Sequence, residues 1–277
     1  MAVEHLFPTG GRFGVVGDPV GHSRSPQLHR AAYAALGIDA DYQRLPIPAD
    51  LFDQTVRALH GSGFCGVNVT IPHKTAALAV ADECSADATA IGAANTLTLR
   101  ADGTIRADNT DAPGLLAAIG TESSFGSALV LGAGGTARAA VHALASTGTA
   151  VTIWNRTTAK ALELANEFGV DHASELDASN AQLVVNTTAV GMDPRDTVES
   201  LLAQLPLDHQ SLRGKTVVDF VYRQNGSPLA LLASESGATV IEGSELLVRQ
   251  AALSFELWFD REPPLEVMRA AFDNPAD

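Results

Sequence analysis

Residues Ser127–Thr157 read SALVLGAGGTARAAVHALASTGTAVTIWNRT. An apolar, partly β-branched run, Ala128 to Leu131, meets Gly132-Ala133-Gly134-Gly135-Thr136-Ala137. An Ala-rich helical stretch follows to Thr147, Gly148 supplies a turn, and a second apolar run fills Ala150 to Trp154. Strand, glycine turn, helix and strand within about thirty residues make one dinucleotide-binding βαβ unit. Gly132 permits the tight turn and Gly134 lets the backbone approach a pyrophosphate. The small Ala137 stands where a third glycine would let helix and strand pack closely. Free N–H groups at the helix start then face the phosphates. The second strand ends in Asn155-Arg156-Thr157, with Lys160 one turn on. An NAD site usually has an acidic residue there for the ribose 2′-OH. Arginine instead suits the planar, bidentate geometry of a phosphate, so the reading is a 2′-phosphate and hence NADP. The alternative is a solvated arginine, but a cation beside a helix start opposes the helix dipole.

The whole chain sets bounds on this reading. Its 277 residues make two domains the natural expectation. With 46% apolar and 18% charged residues it has the composition of a soluble globular protein. A net charge of −14 disfavours nucleic acid and anionic membrane surfaces as partners. No apolar run is long enough to span a bilayer, and the stretch from Met1 to Phe13 lacks the basic start and apolar core of a secretory signal. Cys65 and Cys84 show neither CxxC nor metal spacing. They read as buried free thiols in a reducing cytoplasm, and no metal is implied. There is no fixed-period repeat and no low-complexity tail.

Taken in order, Arg12 to Gly17 reads as a strand ending in a loop, Gly17 to Pro26, rich in Gly, Pro and hydroxyls. Pro26 to Leu36 follows as a helix, with Pro at its start and Gly37 at its stop. The Ser23 and Ser25 hydroxyls suit a polyol or carboxylate ligand, although Ser25 serves equally well as a helix cap. Asp41 to Ile47 and Phe64 to Ile71 are further strands, separated by a helix from Ala49 to His60. After Pro72-His73-Lys74 a helix continues to about Glu83. The βαβαβα order predicts a mostly parallel sheet. Lys74 falls in a first helical turn, where the dipole disfavours a cation and lowers its pKa toward proton-transfer range. A lysine snorkelling off the helix end is the plainer alternative.

Thr96 to Leu99 and Thr104 to Ala107 flank an Asp102-Gly103 turn and read as a hairpin. Thr110 and Asp111 precede a helix to Ile119 and are possible caps for it. A Gly/Ser-rich linker, Gly120 to Ser127, leads to the cofactor unit. Beyond Thr157, strands near Val170, at Gln182 to Thr188, Lys215 to Tyr222 and Ala238 to Ile241 alternate with helices, as in a doubly wound sheet. Ligands of such sheets lie at the carboxyl ends of the strands, where Met192 and Tyr222 fall; core packing and a surface ring are the alternatives for these two. Gly243 opens a long helix to about Phe259, and Leu265 to Phe272 forms the last. Gln250 lies on a largely apolar helix, so its amide needs a partner.

Together GDPVGHSRSP (17–26), NVTIPHK (68–74), GAANT (92–96), DNTDAPG (108–114), GAGGTARA (132–139), NRT (155–157), NTTAVGM (186–192) and GSELLVRQ (243–250) resemble the shikimate dehydrogenase family over nearly the whole chain. The resemblance implies an α/β fold: a substrate domain from residues 1–110 with 243–277, a Rossmann-type NADP domain from 111–242, and a cleft between them. It implies that Ser23, Ser25, Asn95, Asp111 and Gln250 bind shikimate's hydroxyls and carboxylate. Thr70 and Tyr222 line the same pocket, and Lys74 with Asp111 forms the catalytic pair. Gly132 to Ala137, Asn155, Arg156, Thr157 and Lys160 hold NADP, and Met192 and Gly243 border its nicotinamide. Arg30 after His29, the absence of Pro shortly after Tyr222, and Leu247 in place of a frequent Met depart from the family pattern without removing a reacting group. The implied activity is reversible NADPH-dependent reduction of 3-dehydroshikimate in a cytoplasmic monomer or homodimer. The rivals are a quinate/shikimate dehydrogenase using NAD, which would prefer an acidic residue near position 155, and a non-catalytic NADP-binding regulator, which would not need both Lys74 and Asp111.

Overall fold

Apolar stretches alternating with helices make two sheets whose central strands are buried on both faces. A computed structural model describes residues 10–120 and 124–274 of the chain. Part of the expected linker (residues 121–123) and most of the segment read for a signal (residues 1–9) lie outside the described residues. The first sheet contains β1 (Gly11–Gly17), β2 (Ala40–Pro46), β3 (Phe64–Val69), β4 (Glu83–Cys84), β5 (Thr96–Leu99) and β6 (Ile105–Asp108), in the order β2-β1-β3-β5-β6-β4. The pairs β1–β2, β1–β3 and β4–β6 are parallel. The hairpin β5–β6 enters antiparallel, as does its pairing with β3. The second sheet is built from β7 (Ser127–Leu131), β8 (Ala150–Trp154), β9 (Asp171–Ala173), β10 (Leu183–Asn186), β11 (Thr216–Asp219) and β12 (Thr239–Ile241), ordered β12-β11-β10-β7-β8-β9. Every pair in it is parallel, the doubly wound arrangement.

The helices are α1 (Ser25–Leu36), α2 (Phe52–Leu59), α3 (Lys74–Val80), α4 (Ala86–Ile91), α5 (Asp111–Ile119), α6 (Gly135–Ser146), α7 (Thr158–Phe168), α8 (Val198–Gln204), α9 (His209–Leu212), α10 (Pro228–Glu235), α11 (Gly243–Phe259) and α12 (Leu265–Phe272). Two compact units result: residues up to Asp111 with those from Val248 onward, and Ala112–Leu247. Asp111 therefore falls in the first unit, and Gly243 in the second.

Several elements differ locally from the sequence reading. The helix opening at Lys74 stops at Val80, and Glu83–Cys84 forms an edge strand instead. The Asp82 carboxylate accepts from the Ile105 amide at 2.8 Å and so ties the chain to β6. Cys65 is buried as expected, but Cys84, on that short edge strand, is exposed. Helix α4 carries too short an apolar pattern to be seen in advance; Ser85 caps it, accepting from the Ala88 amide at 3.1 Å. Ser25 caps nothing: Arg24 occupies the cap position of α1, and the Ser25 side chain turns to Ser23.

The first unit's core contains an aromatic group around Trp258, whose indole N–H donates to the Leu97 carbonyl at 3.3 Å. His29 is fully buried in it, stacked on Tyr42 with ring centroids 4.3 Å apart. Asn68 lies near enough to favour the charged ring slightly. Its oxygen, however, accepts from Tyr42 and its amide faces Asn95, Thr96 and Ser254, so neither ring nitrogen of His29 has a hydrogen-bond partner. Burial pushes the imidazole pKa down from 6.5 to about 3. The unfolded chain therefore takes up this proton near pH 6.5 while the folded chain refuses it until about pH 3. Stability from this group is complete above pH 6.5 and is lost as pH falls through that window, by up to about 1.4 kcal/mol per pH unit. His29→Phe keeps the ring stack and removes the titration. Denaturant melts at pH 7, 5.5 and 4 should show the variant gaining on the parent as pH falls; parallel profiles would contradict the buried neutral imidazole.

Candidate active site and cofactor site

In the first unit, the site begins at the carboxyl end of β3. The Thr70 amide donates to the Val16 carbonyl at 2.9 Å, so the strand exits beside the end of β1 and its serine loop. There the buried Ser23 and Ser25 hydroxyls lie 3.3 Å apart, and Arg44 braces the loop by donating to the Ser23 carbonyl at 2.9 Å. Thr70 is half-buried at the strand end. His73 then fixes the start of α3. Its ring packs on Phe52 with centroids 4.5 Å apart, and its Nε2 lies 2.7 Å from the Ile47 carbonyl.

Lys74 follows directly, and its placement answers the question raised by the helix dipole. It does not snorkel: it is 9% exposed, and its Nζ donates to Asp111 Oδ2 at 2.6 Å. Asp111 is 6% exposed and opens α5 without serving as its cap. Its backbone N–H is met at 3.1 Å by the Asn109 side-chain oxygen, which frees the carboxylate for the site. The other carboxylate oxygen, Oδ1, accepts from Asn95 Nδ2 at 2.9 Å. Asn95 also meets Gln250 Oε1 at 3.4 Å, the partner that the amide on an apolar helix required. Ser23, Ser25, Thr70, Lys74, Asn95, Asp111 and Gln250 all belong to this unit; Tyr222 belongs to the second and is half-buried there.

Beneath the pair lies a polar layer that the sequence reading did not single out. Asn95 Oδ1 accepts from the Thr110 amide at 2.7 Å and the Thr96 hydroxyl at 3.2 Å. Ser254 Oγ lies 2.9 Å from Thr96 Oγ1, 3.2 Å from Thr110 Oγ1 and 2.8 Å from Asn68 Nδ2. These side chains are buried and satisfied by one another, a closed network that fixes the Asn95 amide orientation. The available signal was Ser254, one helical turn beyond Gln250 on the same largely apolar helix.

The second unit carries the glycine turn. Gly132 has φ +114°, and a Cβ there would sit 2.5 Å from Thr187 Oγ1, so only glycine fits. A Cβ on Gly134 would meet nothing within 4 Å, so that backbone face is open to a ligand. Ala137 is fully buried where α6 leaves the sheet. Gly135 and Thr136 form the first turn of α6, whose N–H groups fit an anion. At the end of β8 lies a cavity of about 380 Å³ lined by Trp154, Asn155, Arg156, Thr188, Ala189, Val190, Asp196, Gln204 and Leu205. Asn155 Nδ2 donates to the Thr157 carbonyl at 3.0 Å and shapes the turn, while Arg156, Thr157 and Lys160 are exposed around it. An exposed guanidinium beside an open glycine turn fits a phosphorylated dinucleotide. Met192 is half-buried in a turn, its amide donating to the Ala189 carbonyl at 3.1 Å. Gly243 is buried against the backbone of Asp219 and Val221.

Known proteins match this arrangement along the chain. The model of the shikimate dehydrogenase substrate binding domain matches residues 15–97. That of shikimate/quinate 5-dehydrogenase matches residues 116–191, and that of the shikimate 5′-dehydrogenase C-terminal domain matches residues 243–271. A shikimate dehydrogenase (NADP+) of Methanocella arvoryzae is 42% identical, covering 94% of this chain and 98% of its own. One from Methylobacterium radiotolerans is 43% identical over 90% of this chain and 91% of its own. A crystal structure of shikimate 5-dehydrogenase from Thermus thermophilus, in complex with NADP(H) and shikimate, superposes with a TM-score of 0.84 at 38% identity, covering 95% of this chain and 98% of that one. With its serine loop, its buried lysine–aspartate pair and its glycine turn on a parallel sheet, the chain belongs to the shikimate dehydrogenase family.

Proposed function

We propose that the chain catalyses the reversible NADPH-dependent reduction of 3-dehydroshikimate to shikimate, a step toward chorismate and the aromatic amino acids, with Lys74 and Asp111 as its catalytic pair. The observation that carries this is the buried 2.6 Å contact between Lys74 Nζ and Asp111 Oδ2, with Asn95 anchoring the other carboxylate oxygen. Lys74 and Asp111 act as one unit. The carboxylate holds the ammonium in place and accepts from a substrate hydroxyl; as hydride reaches C3, the ammonium neutralises the charge growing on the C3 oxygen and the pair delivers the proton that turns it into a hydroxyl. Ser23, Ser25, Asn95 and Gln250 bind the ring acid's hydroxyls and carboxylate, and Thr70 and Tyr222 line its pocket. Bound NADPH supplies the hydride.

The backbone from Gly132 through Ala133, Gly134, Gly135 and Thr136 to Ala137 holds the pyrophosphate. Asn155, Arg156, Thr157 and Lys160 hold the ribose 2′-phosphate, and Met192 and Gly243 border the nicotinamide. The enzyme works in the cytoplasm on a small molecule, as a monomer or homodimer; among the described residues no helix is long and apolar enough to cross a membrane.

Steady-state rates with shikimate and quinate, each against NADP and NAD, test the reading. Shikimate with NADP should give the highest kcat/KM; a preference for quinate with NAD would overturn it. Lys74→Ala should lower turnover by roughly 10²–10⁴-fold with NADP affinity intact; near-normal turnover would remove Lys74 from the chemistry. Arg156→Ala should raise the KM for NADPH far more than that for NADH, whereas equal changes would place 2′-phosphate recognition elsewhere.

A further inference from the structure

Asp219 closes β11 and is fully buried, yet the chemistry above does not use it. Its Oδ1 accepts from Asn186 Nδ2 at 2.8 Å and from the Val221 amide at 3.0 Å; its Oδ2 accepts from the Ser227 hydroxyl. Each donor belongs to a segment leaving the same end of the second sheet. Asn186 ends β10, and its own side-chain oxygen accepts from the Thr188 amide at 3.1 Å and hydroxyl at 2.7 Å. Thr188 Oγ1 in turn accepts from the Val190 amide at 3.2 Å, so the chain leading to Met192 is held from Asn186 onward. The neighbouring Thr187 donates through both its amide and its hydroxyl to the Leu131 carbonyl, beside the Gly132 turn. Val221 precedes Tyr222, and a Cβ on Gly243 would lie 2.7 Å from the Val221 carbonyl oxygen and 2.9 Å from that of Asp219. Ser227 also caps α10, accepting from the Ala230 amide at 3.0 Å.

We propose that Asp219 is a positioning residue for the cofactor: its carboxylate brackets the ends of β10 and β11 so that Met192 and Gly243 hold the nicotinamide in its reactive pose, with Tyr222 kept beside it at the substrate pocket. This rests on the NADP-dependent reading of the same unit. The physical argument is that a buried carboxylate persists only where donors converge on it, and here the donors come from the segments that shape the nicotinamide's surroundings. Burial, with a smaller push from the Glu242 charge, raises the Asp219 pKa to about 6 against the lowering effect of Ser227, Val221 and Asn186. Its place is set by three hydrogen bonds, one from the end of β10 and two from the connection between β11 and α10. Hydride transfer is sensitive to misplacement of the reacting carbon by even about an ångström, whereas the charged side chains proposed for the 2′-phosphate, Arg156 and Lys160, are not among the groups bonded to Asp219.

The test compares Asp219→Ala, Asp219→Asn and Ser227→Ala with the parent. Four quantities are read: kcat for shikimate oxidation with NADP, the Kd for NADPH from nicotinamide fluorescence, the Kd for shikimate, and the melting temperature. Asp219→Ala should lower kcat by about tenfold or more with both Kd values within a few-fold of the parent's. Asp219→Asn, which keeps the shape and the Oδ1 acceptor, should recover most of that loss, and Ser227→Ala should give a smaller loss of the same kind. If Asp219→Ala does not fold, the same comparison is made on the other two. Unchanged kcat in the folded variants, losses that simply follow the folded fraction, or an Asn variant as impaired as the Ala variant would each overturn the bracket. A parent that fails to oxidise shikimate with NADP would instead overturn the underlying functional reading.

Discussion

A lysine amine at the start of a helix is in the wrong place unless something compensates it. The helix N-terminus already carries partial positive charge, and burial makes an unpaired ammonium costly. Here Asp111, thirty-seven residues away in sequence, meets Lys74 at 2.6 Å. Much of the first unit can be read as the means of bringing those two groups together. His73 and its stack on Phe52 fix the helix start. The hairpin β5–β6 carries the chain from Asn95 to Asp111. The Asn109 side chain takes over the Asp111 backbone N–H. Asn95 then orients the carboxylate, and the layer of Thr96, Thr110, Ser254 and Asn68 orients Asn95. Removing one partner of such a pair leaves the other charge buried and uncompensated, so the loss exceeds the value of the contact itself.

The second unit solves a different problem with the same device of buried, mutually satisfied polar groups. Parallel strands present their carboxyl ends to a ligand, and the loops that leave those ends must be held in place. Gly132 allows the first loop to turn tightly against Thr187. Asp219, Asn186 and Thr188 hold the next ones in a chain of hydrogen bonds that starts from a single carboxylate. Both units thus centre on a buried aspartate, one paired with a cation and one supported by neutral donors.

How much of this was legible depended on whether a signal was local. The βαβ unit at Ser127–Thr157 is local, and its strands and helix form within a residue or two of the expected ends. The glycine requirement at position 132 is also local. The direction of β5 and β6 was partly legible: the Asp102-Gly103 turn announced a hairpin, and the hairpin's insertion is what mixes antiparallel pairing into the first sheet. The Lys74–Asp111 pair was not legible from either residue alone, since each has a plainer role as a helix-end side chain. Only the resemblance joined them, and the geometry then supplied the contact. The exposure of Cys84, the short helix α4 and the freedom of Ser25 from capping all depend on where edge strands and loops settle, which no pattern within a few residues encodes. The same holds for Ser254, whose partners Asn68, Thr96 and Thr110 come from distant segments, and for the link from Asp219 back to Asn186.

The account's central claim is that Lys74 and Asp111 act as one unit, and a double-mutant cycle on turnover measures this most directly. Lys74→Ala, Asp111→Asn and the double variant are compared for shikimate oxidation with NADP. If the pair is one device, the double variant should lose little more than the worse single variant, as interdependent catalytic groups do. Losses that multiply, each residue contributing independently of the other, would contradict the claim.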